Sequence, residues 1–74
     1  MYYVYLLKNK LTKELYIGYT NDLKRRLKEH KNKYPELIYY EAYKSDKDAR
    51  KRELMLKEHG QTKRRLKERL KYSL

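Results

Sequence analysis

Arg26, His30 and Glu53 are polar side chains that helical spacing turns toward apolar stripes, and each can bind or transfer charge. At about 100° per residue from Leu23, Leu27 falls near 40°, His30 near −20° and Arg26 near −60°. His30 therefore shares the apolar face and Arg26 borders it, whereas Arg25, at roughly 200°, points away. Counted the same way from Ala49, Leu56 lies at about −20° and Glu53 at about 40°, so a carboxylate shares the inward stripe. An inward carboxylate needs a partner, which is either a nearby cation in a plain salt bridge or a functional group. A histidine on an apolar face is usually packed and hydrogen-bonded, with direct catalysis as the sharper alternative. An arginine beside such a face is more often a phosphate clamp or a solvated charge than a catalytic group.

The tyrosines add a second constellation. Ten Tyr supply every aromatic ring of the chain, with no Phe and no Trp. A phenol packs like Phe but needs a hydrogen-bond partner when buried, so most of these rings belong at the margin of a thin core. Tyr5 and Tyr16 come from two strand-like segments, and one antiparallel register sets them opposite each other on one face. Gly18 would follow on that face. A strand glycine marks close approach of backbone or ligand, which would leave a depression beside two phenols and the start of the helix bearing Arg26. The alternative is a tyrosine-lined core edge.

The elements that must hold these groups are legible in outline. Residues Tyr2 to Leu7 are dense in Tyr, Val and Leu, and Leu15 to Tyr19 alternates, so both read as strands, antiparallel to one another. The connection around Asn9 and Lys10 lacks an Asn-Gly or Asp-Gly turn and should be wider than two residues. Asn21 or Asp22 can cap a helix that ends near Lys31. Pro35 marks a turn before a third strand over Leu37 to Tyr43. Ser45 and Asp48 form a capping box for a second helix that Gly60 should stop. From Thr62, Leu66, Leu70 and Leu74 repeat every four residues and predict a third helix. The expected fold is α+β: a three-stranded antiparallel or mixed sheet flanked by helices, in the order β-β-α-β-α-α. If the first strand is central, the helical crossover lets the third run parallel to the second and antiparallel to the first.

The chain has 74 residues, enough for one domain spanning residues 1–74. It has no cysteine, so neither disulfides nor thiolate metal sites support a core this small. No apolar run approaches the roughly 18 residues of a membrane span, and Met1 to Leu7 is too short for a signal peptide, so a cytoplasmic location is expected. Against 10 Asp plus Glu stand 21 Lys plus Arg, a net charge of +11. Phosphate is the natural partner of such a surface, and charge alone does not separate DNA from RNA. Basic side chains expected at nucleic acid are Lys24, Arg25, Arg50, Arg52, Lys57, Lys63, Arg64 and Arg65, in separate segments rather than one basic tail. A charged surface tuned for solubility is the plain alternative.

Taken together, these residues resemble the GIY-YIG nuclease superfamily, particularly its small, freestanding bacterial single-domain members. Tyr16, Ile17 and Gly18 match the second half of that signature. Tyr3, Val4 and Tyr5 fall where the first half should lie, with Tyr5 eleven residues before Tyr16. The family's arginine, eight residues after the signature glycine, matches Arg26; its frequent histidine four residues later matches His30; its metal-binding glutamate matches Glu53. The resemblance covers almost the whole chain. It implies a metal-dependent DNA endonuclease of the repair or recombination kind, with Tyr5, Tyr16, Arg26, His30 and Glu53 as catalytic residues. Tyr5 would be the base or would orient water, and Tyr16 would support the nucleophile or phosphate. Arg26 would stabilise the transition state, while Glu53 would hold one divalent metal, magnesium or alternatively manganese. A hard cation suits carboxylate, water and phosphate oxygens. A free tyrosine titrates near 10, at roughly three units above neutrality, so a tyrosine base needs positive charge nearby.

Three features depart from the family pattern. Tyr3 replaces the usual glycine of the first half-signature. Tyr19 stands where some relatives carry lysine, so a lysine-assisted base does not carry over. The connection from Lys31 to Glu36 is short for a relative of this size. The leading expectation is hydrolysis of a DNA phosphodiester bond by a monomer, on single-stranded, branched or duplex substrate. A nucleic-acid-binding module that keeps the fold without cleaving is the second reading. A helical interaction protein would account for the charge but not for the spaced tyrosines or the inward Glu53.

Overall fold

The computed structural model describes residues 1–31 and 34–74. Its elements are β1 (Tyr2–Asn9), β2 (Leu15–Thr20), α1 (Leu23–Glu29), β3 (Pro35–Tyr43), α2 (Asp46–Glu58) and α3 (Gly60–Arg69). The order is β-β-α-β-α-α, an α+β fold as the apolar periodicities predict. The strands form one sheet in the order β2-β1-β3, with β1 antiparallel to both neighbours. Val4, Tyr5, Leu6 and Leu7 form an unbroken buried run on β1, as expected for a central strand covered on both faces.

Strand alternation sorts the core into two layers. Val4 packs with Ala49 and Leu56 of α2 and Leu66 of α3, and Tyr2, Ile17, Tyr19, Tyr39, Tyr43 and Leu70 close this layer. The odd-numbered side chains of β1 face the other way, toward α1. The β1–β2 connection is wide, as expected: Asn9 Oδ1 accepts from the backbone N–H of Leu11 at 2.8 Å and Thr12 at 3.0 Å. Lys13 takes the left-handed conformation, φ 67°. Asp22, rather than Asn21, caps α1 by accepting from the Arg25 N–H, and Ser45 caps α2 by accepting from that of Asp48.

Some boundaries differ from the sequence expectation. Pro35 is the first residue of β3 rather than part of a preceding turn; its missing N–H is tolerable because β3 is an edge strand. Of the short connection over 31–36, residues 32 and 33 lie outside the described residues. Gly60 does not terminate α2. That helix ends at Glu58, His59 adopts an extended conformation, and Gly60 opens α3, without the positive φ that makes glycine a helix stop. Leu70 caps α3, so the third helix is a turn shorter than the Leu66, Leu70, Leu74 repeat predicts.

β3 also turns a carboxylate inward. The Glu41 side chain is 13% exposed and receives Arg52 Nε at 2.9 Å on Oε1 and Arg52 Nη2 at 3.0 Å on Oε2. The Tyr39 hydroxyl donates to Oε2 at 2.8 Å, and that of Tyr43 donates to Oε1. Burial alone would raise the Glu41 pKa, but Arg52 and the two phenols outweigh it and hold the carboxyl below its ordinary value. Burial and Glu41 together push Tyr43 up to about 12, so it remains a donor at neutral pH. Because the folded-state value of Glu41 is depressed, its stabilisation is complete above an ordinary carboxylate pKa of about 4.3 and is lost as pH falls through the folded-state value. Thermal melts should accordingly drop in midpoint below pH ~4. Glu41→Gln should shrink that acid-limb dependence and cost about 1–3 kcal/mol at neutral pH by leaving Arg52 without its carboxylate. An unchanged acid limb in the variant would remove Glu41 as its source.

Candidate active site

α1 carries its polar residues onto the sheet as the helical count predicts. Arg26 Nε donates to the Tyr5 hydroxyl at 3.3 Å. His30, the C-cap of α1, brings Nε2 to 3.2 Å from the same hydroxyl, with its ring edge-on to the phenol at 6.1 Å between centroids. Tyr5 is 3% exposed, so this oxygen is shared by two basic groups beneath the surface. The other end of the Arg26 guanidinium is at the surface, where Nη1 donates to Glu29 at 2.7 Å. The Tyr5 hydroxyl and then Glu29 both favour the charged form of Arg26. Arg25, which the helical count sends to the opposite side, is not directed away from Arg26: it pairs with the same Glu29 at 3.5 Å.

Gly18 sits opposite Tyr5 in the ladder, while Tyr16 sits opposite Leu7. The register is thus offset by two residues from one that would pair Tyr5 with Tyr16. An even offset keeps all three residues on one face but changes what they touch. The space beside Gly18 is not an open depression, because the Tyr5 ring fills it. A Cβ built on Gly18 would lie 2.2 Å from the Tyr5 hydroxyl oxygen and 2.3 Å from Cζ. Only glycine lets this phenol cross the neighbouring strand to reach Arg26 and His30. Gly18→Ala should therefore displace Tyr5 and cost about 1–3 kcal/mol through overpacking. At this chain length each kcal/mol lowers the melting temperature by about 4–8 °C. An unchanged melting temperature would mean that Tyr5 has another place to go.

The Tyr16 hydroxyl is elsewhere: it donates to Glu14 Oε2 at 2.8 Å, and this bond, with some burial, raises the Tyr16 pKa. Glu53 lies on α2, its side chain 24% exposed and paired through Oε2 with Lys57 at 3.2 Å. It is part-buried where the helical count predicts an inward carboxylate, and α2 packs on the sheet face opposite Tyr5. Tyr5, Arg26 and His30 thus form one hydrogen-bonded group packed over Gly18, while the Tyr16 hydroxyl is bonded to Glu14 and Glu53 to Lys57.

What links the two helices is a cleft of about 220 Å³ lined by Tyr19, Thr20, Asn21, Arg25, Arg26 and Arg50. Two arginines come from α1 and one from α2, converging where β2 ends. Arg50 lies over the Tyr19 ring, 4.5 Å from its centroid, and pairs with Asp46 at 3.0 Å. The Tyr19 hydroxyl also donates to Asp46, whose carboxyl is held below its ordinary range by that phenol and by Arg50. Glu53 follows Arg50 by three residues and therefore occupies a neighbouring position on the same side of α2.

The basic residues divide. Lys24, Arg25, Arg50, Arg64 and Arg65 are exposed, and Lys63 is half-exposed. Lys57 is exposed but paired with Glu53. Arg52 is redirected: its guanidinium is committed to Glu41 through two nitrogens, so the bidentate bond, rather than phosphate, holds it. The roles of Glu41 and Asp46 are not visible in composition. A signal for Glu41 was available in the period-two spacing of Tyr39, Glu41 and Tyr43, which puts a carboxylate on the same face as two phenols.

A family model described as the GIY-YIG catalytic domain matches residues 1–68. A UPF0213 protein of Clostridium perfringens (strain 13 / Type A) is 39% identical over 67 residues, covering 77% of this chain and 71% of the relative. No solved structure matches the chain. The family match spans both half-signatures, the helix of Arg26 and the helix of Glu53, and the chain belongs to the GIY-YIG family.

Proposed function

We propose that this protein is a metal-dependent DNA endonuclease that hydrolyses a phosphodiester bond at the arginine-lined cleft. Family membership makes nuclease-type activity on DNA the function class. The observation that carries the finer reading is the double engagement of Arg26, anchored below by the Tyr5 hydroxyl and open above to a cleft it shares with Arg25 and Arg50. A guanidinium held in this way meets the charge that develops on a scissile phosphate without first having to reorganise. Among the described residues its Nε is taken by Tyr5 and its Nη1 by an exposed glutamate, which leaves Nη2 for a phosphate oxygen.

The metal expectation fits one carboxylate rather than a cage. Among the described residues no group of three or more His, Asp or Glu could hold an ion. Glu53, half-exposed beside an exchangeable lysine, suits a hard ion whose remaining ligands are waters and substrate phosphate. Such an ion, when bound, would supply charge opposite the phosphate and polarise a water. Tyr5 keeps the arginine aimed, and the contact between its hydroxyl and His30 Nε2 offers a place for a proton. Tyr16, engaged with Glu14, would contact phosphate only after exchanging that partner. A monomer with one such cleft cuts one strand per encounter. The remaining exposed cations attract backbone phosphates without regard to sequence.

The direct experiment is cleavage of labelled single-stranded, duplex and branched DNA with magnesium, manganese or chelator. Cutting that appears with either metal and vanishes in chelator is the expected result. Binding without cutting on every substrate and with both metals would replace this reading by that of a non-catalytic module.

A further inference from the structure

On the same sheet face as Tyr5, but on the β3 side, lies a second cleft, of about 350 Å³, lined by Tyr3, Asp22, Leu23, Lys24, Leu27 and Tyr40. Its walls are mostly apolar: two phenol rings from the sheet and two leucines from α1. The Tyr3 and Tyr40 rings meet edge to face, with centroids 6.0 Å apart at 62°, forming a corner that presents two aromatic surfaces. Tyr40 is 51% exposed, an unusual state for a large aromatic ring in the middle of a strand. Its exposure is not needed by the packed layer on the opposite face, to which its neighbours Tyr39 and Glu41 are directed. Lys24 places an ammonium at the rim.

We infer that this cleft binds one unpaired nucleobase of the substrate strand, stacked in the Tyr3–Tyr40 corner, with Lys24 on an adjoining phosphate. The inference rests on the nuclease reading of the neighbouring cluster, because that reading puts a strand beside it. Tyr40 is the ladder partner of Tyr5, whose hydroxyl holds Arg26. The base cleft thus lies one strand spacing, ~4.8 Å, from the strand whose phenol anchors Arg26, and α1 joins it to the phosphate cleft, contributing Lys24 to one and Arg25 and Arg26 to the other. Every base has a π-face, so such a corner accepts bases without reading sequence. A base within a duplex is already stacked and enters only if it is flipped out, at an energetic cost. Tyr3, which departs from the half-signature glycine, supplies one wall of the corner.

The test compares binding of a thymidine oligomer with that of an abasic backbone of equal length and charge, in chelator so that nothing is cut. The natural chain should prefer the oligomer that carries bases by about fivefold or more. Tyr40→Leu, which keeps bulk but removes the ring from an exposed position, should abolish most of that preference while leaving affinity for a blunt duplex unchanged, and Tyr40→Phe should retain it. Equal affinity for the two oligomers, or a preference that survives Tyr40→Leu, would overturn the assignment. So would self-association of the natural chain that Tyr40→Leu abolishes with no base preference present, because the cleft would then join two copies. A base preference lost in Tyr40→Leu supports the cleft even if no substrate is ever cut, so the two readings fail separately.

Discussion

Glu53→Gln is expected to lower metal-supported DNA cleavage by about 10³-fold or more, because a bound ion contributes several kcal/mol of charge stabilisation in the transition state. The amide keeps the shape of the side chain but loses the charge that holds a hard cation. The fold should survive. The Glu53–Lys57 pair spans one helical turn, with the lysine half-exposed at 51%, and a pair of that kind contributes about 0.3–0.5 kcal/mol. DNA affinity in chelator should stay level or rise somewhat, since a negative charge is removed from a surface that attracts phosphate. Cleavage with magnesium and manganese, binding in chelator and a thermal melt separate the three effects. Undiminished cleavage would remove Glu53 as the metal residue, and the metal expectation would lose its only named ligand.

Arg26→Ala should slow cleavage by about 10²–10³-fold, the usual effect of deleting one preorganised donor at a developing negative charge. Binding should fall much less, because Arg26 is one of three arginines lining the cleft. Single-turnover rates set against affinity in chelator make the comparison, and equal losses would reduce Arg26 to a positioning contact on the phosphate. Arg26→Lys should not restore the rate. An ammonium cannot hold the Tyr5 hydroxyl through a side nitrogen while offering planar terminal donors to phosphate. Substantial rescue by lysine would mean that charge, and not the anchored geometry, does the work.

The part-buried Glu41 group shows how local patterning can be sound and still misassign a residue. Arg52 belongs to a basic run, and composition sends it outward to phosphate. In the fold, the phase of α2 and the alternation of β3 bring it onto a carboxylate flanked by two phenols. Nothing along the chain couples residue 52 to residue 41, because that pairing depends on how α2 crosses the sheet. The tyrosines, by contrast, behave as their chemistry requires: the hydroxyl of the buried Tyr5 and those of Tyr16, Tyr19, Tyr39 and Tyr43 at the margin of a thin core all find polar partners.

The sequence by itself determined the element order and the phase of the helices, because apolar periodicity and capping residues act over a few neighbours; the central place of β1 was a condition that only the sheet order met. That was enough to turn His30 and Arg26 inward and to put Glu53 on the inward stripe of α2, though it sent Arg25 away from a cleft that it lines with Arg26. Only the tertiary structure decided the strand register that puts Tyr5 over Gly18 instead of beside Tyr16, since a two-residue slip preserves the face pattern and costs nothing in periodicity. It also decided that Gly60 begins a helix, that Arg52 is held by Glu41, and that arginines from α1 and α2 line one cleft. These outcomes share a cause: each depends on the distance between elements far apart in the chain, and such distances are set by packing the whole sheet against its helices.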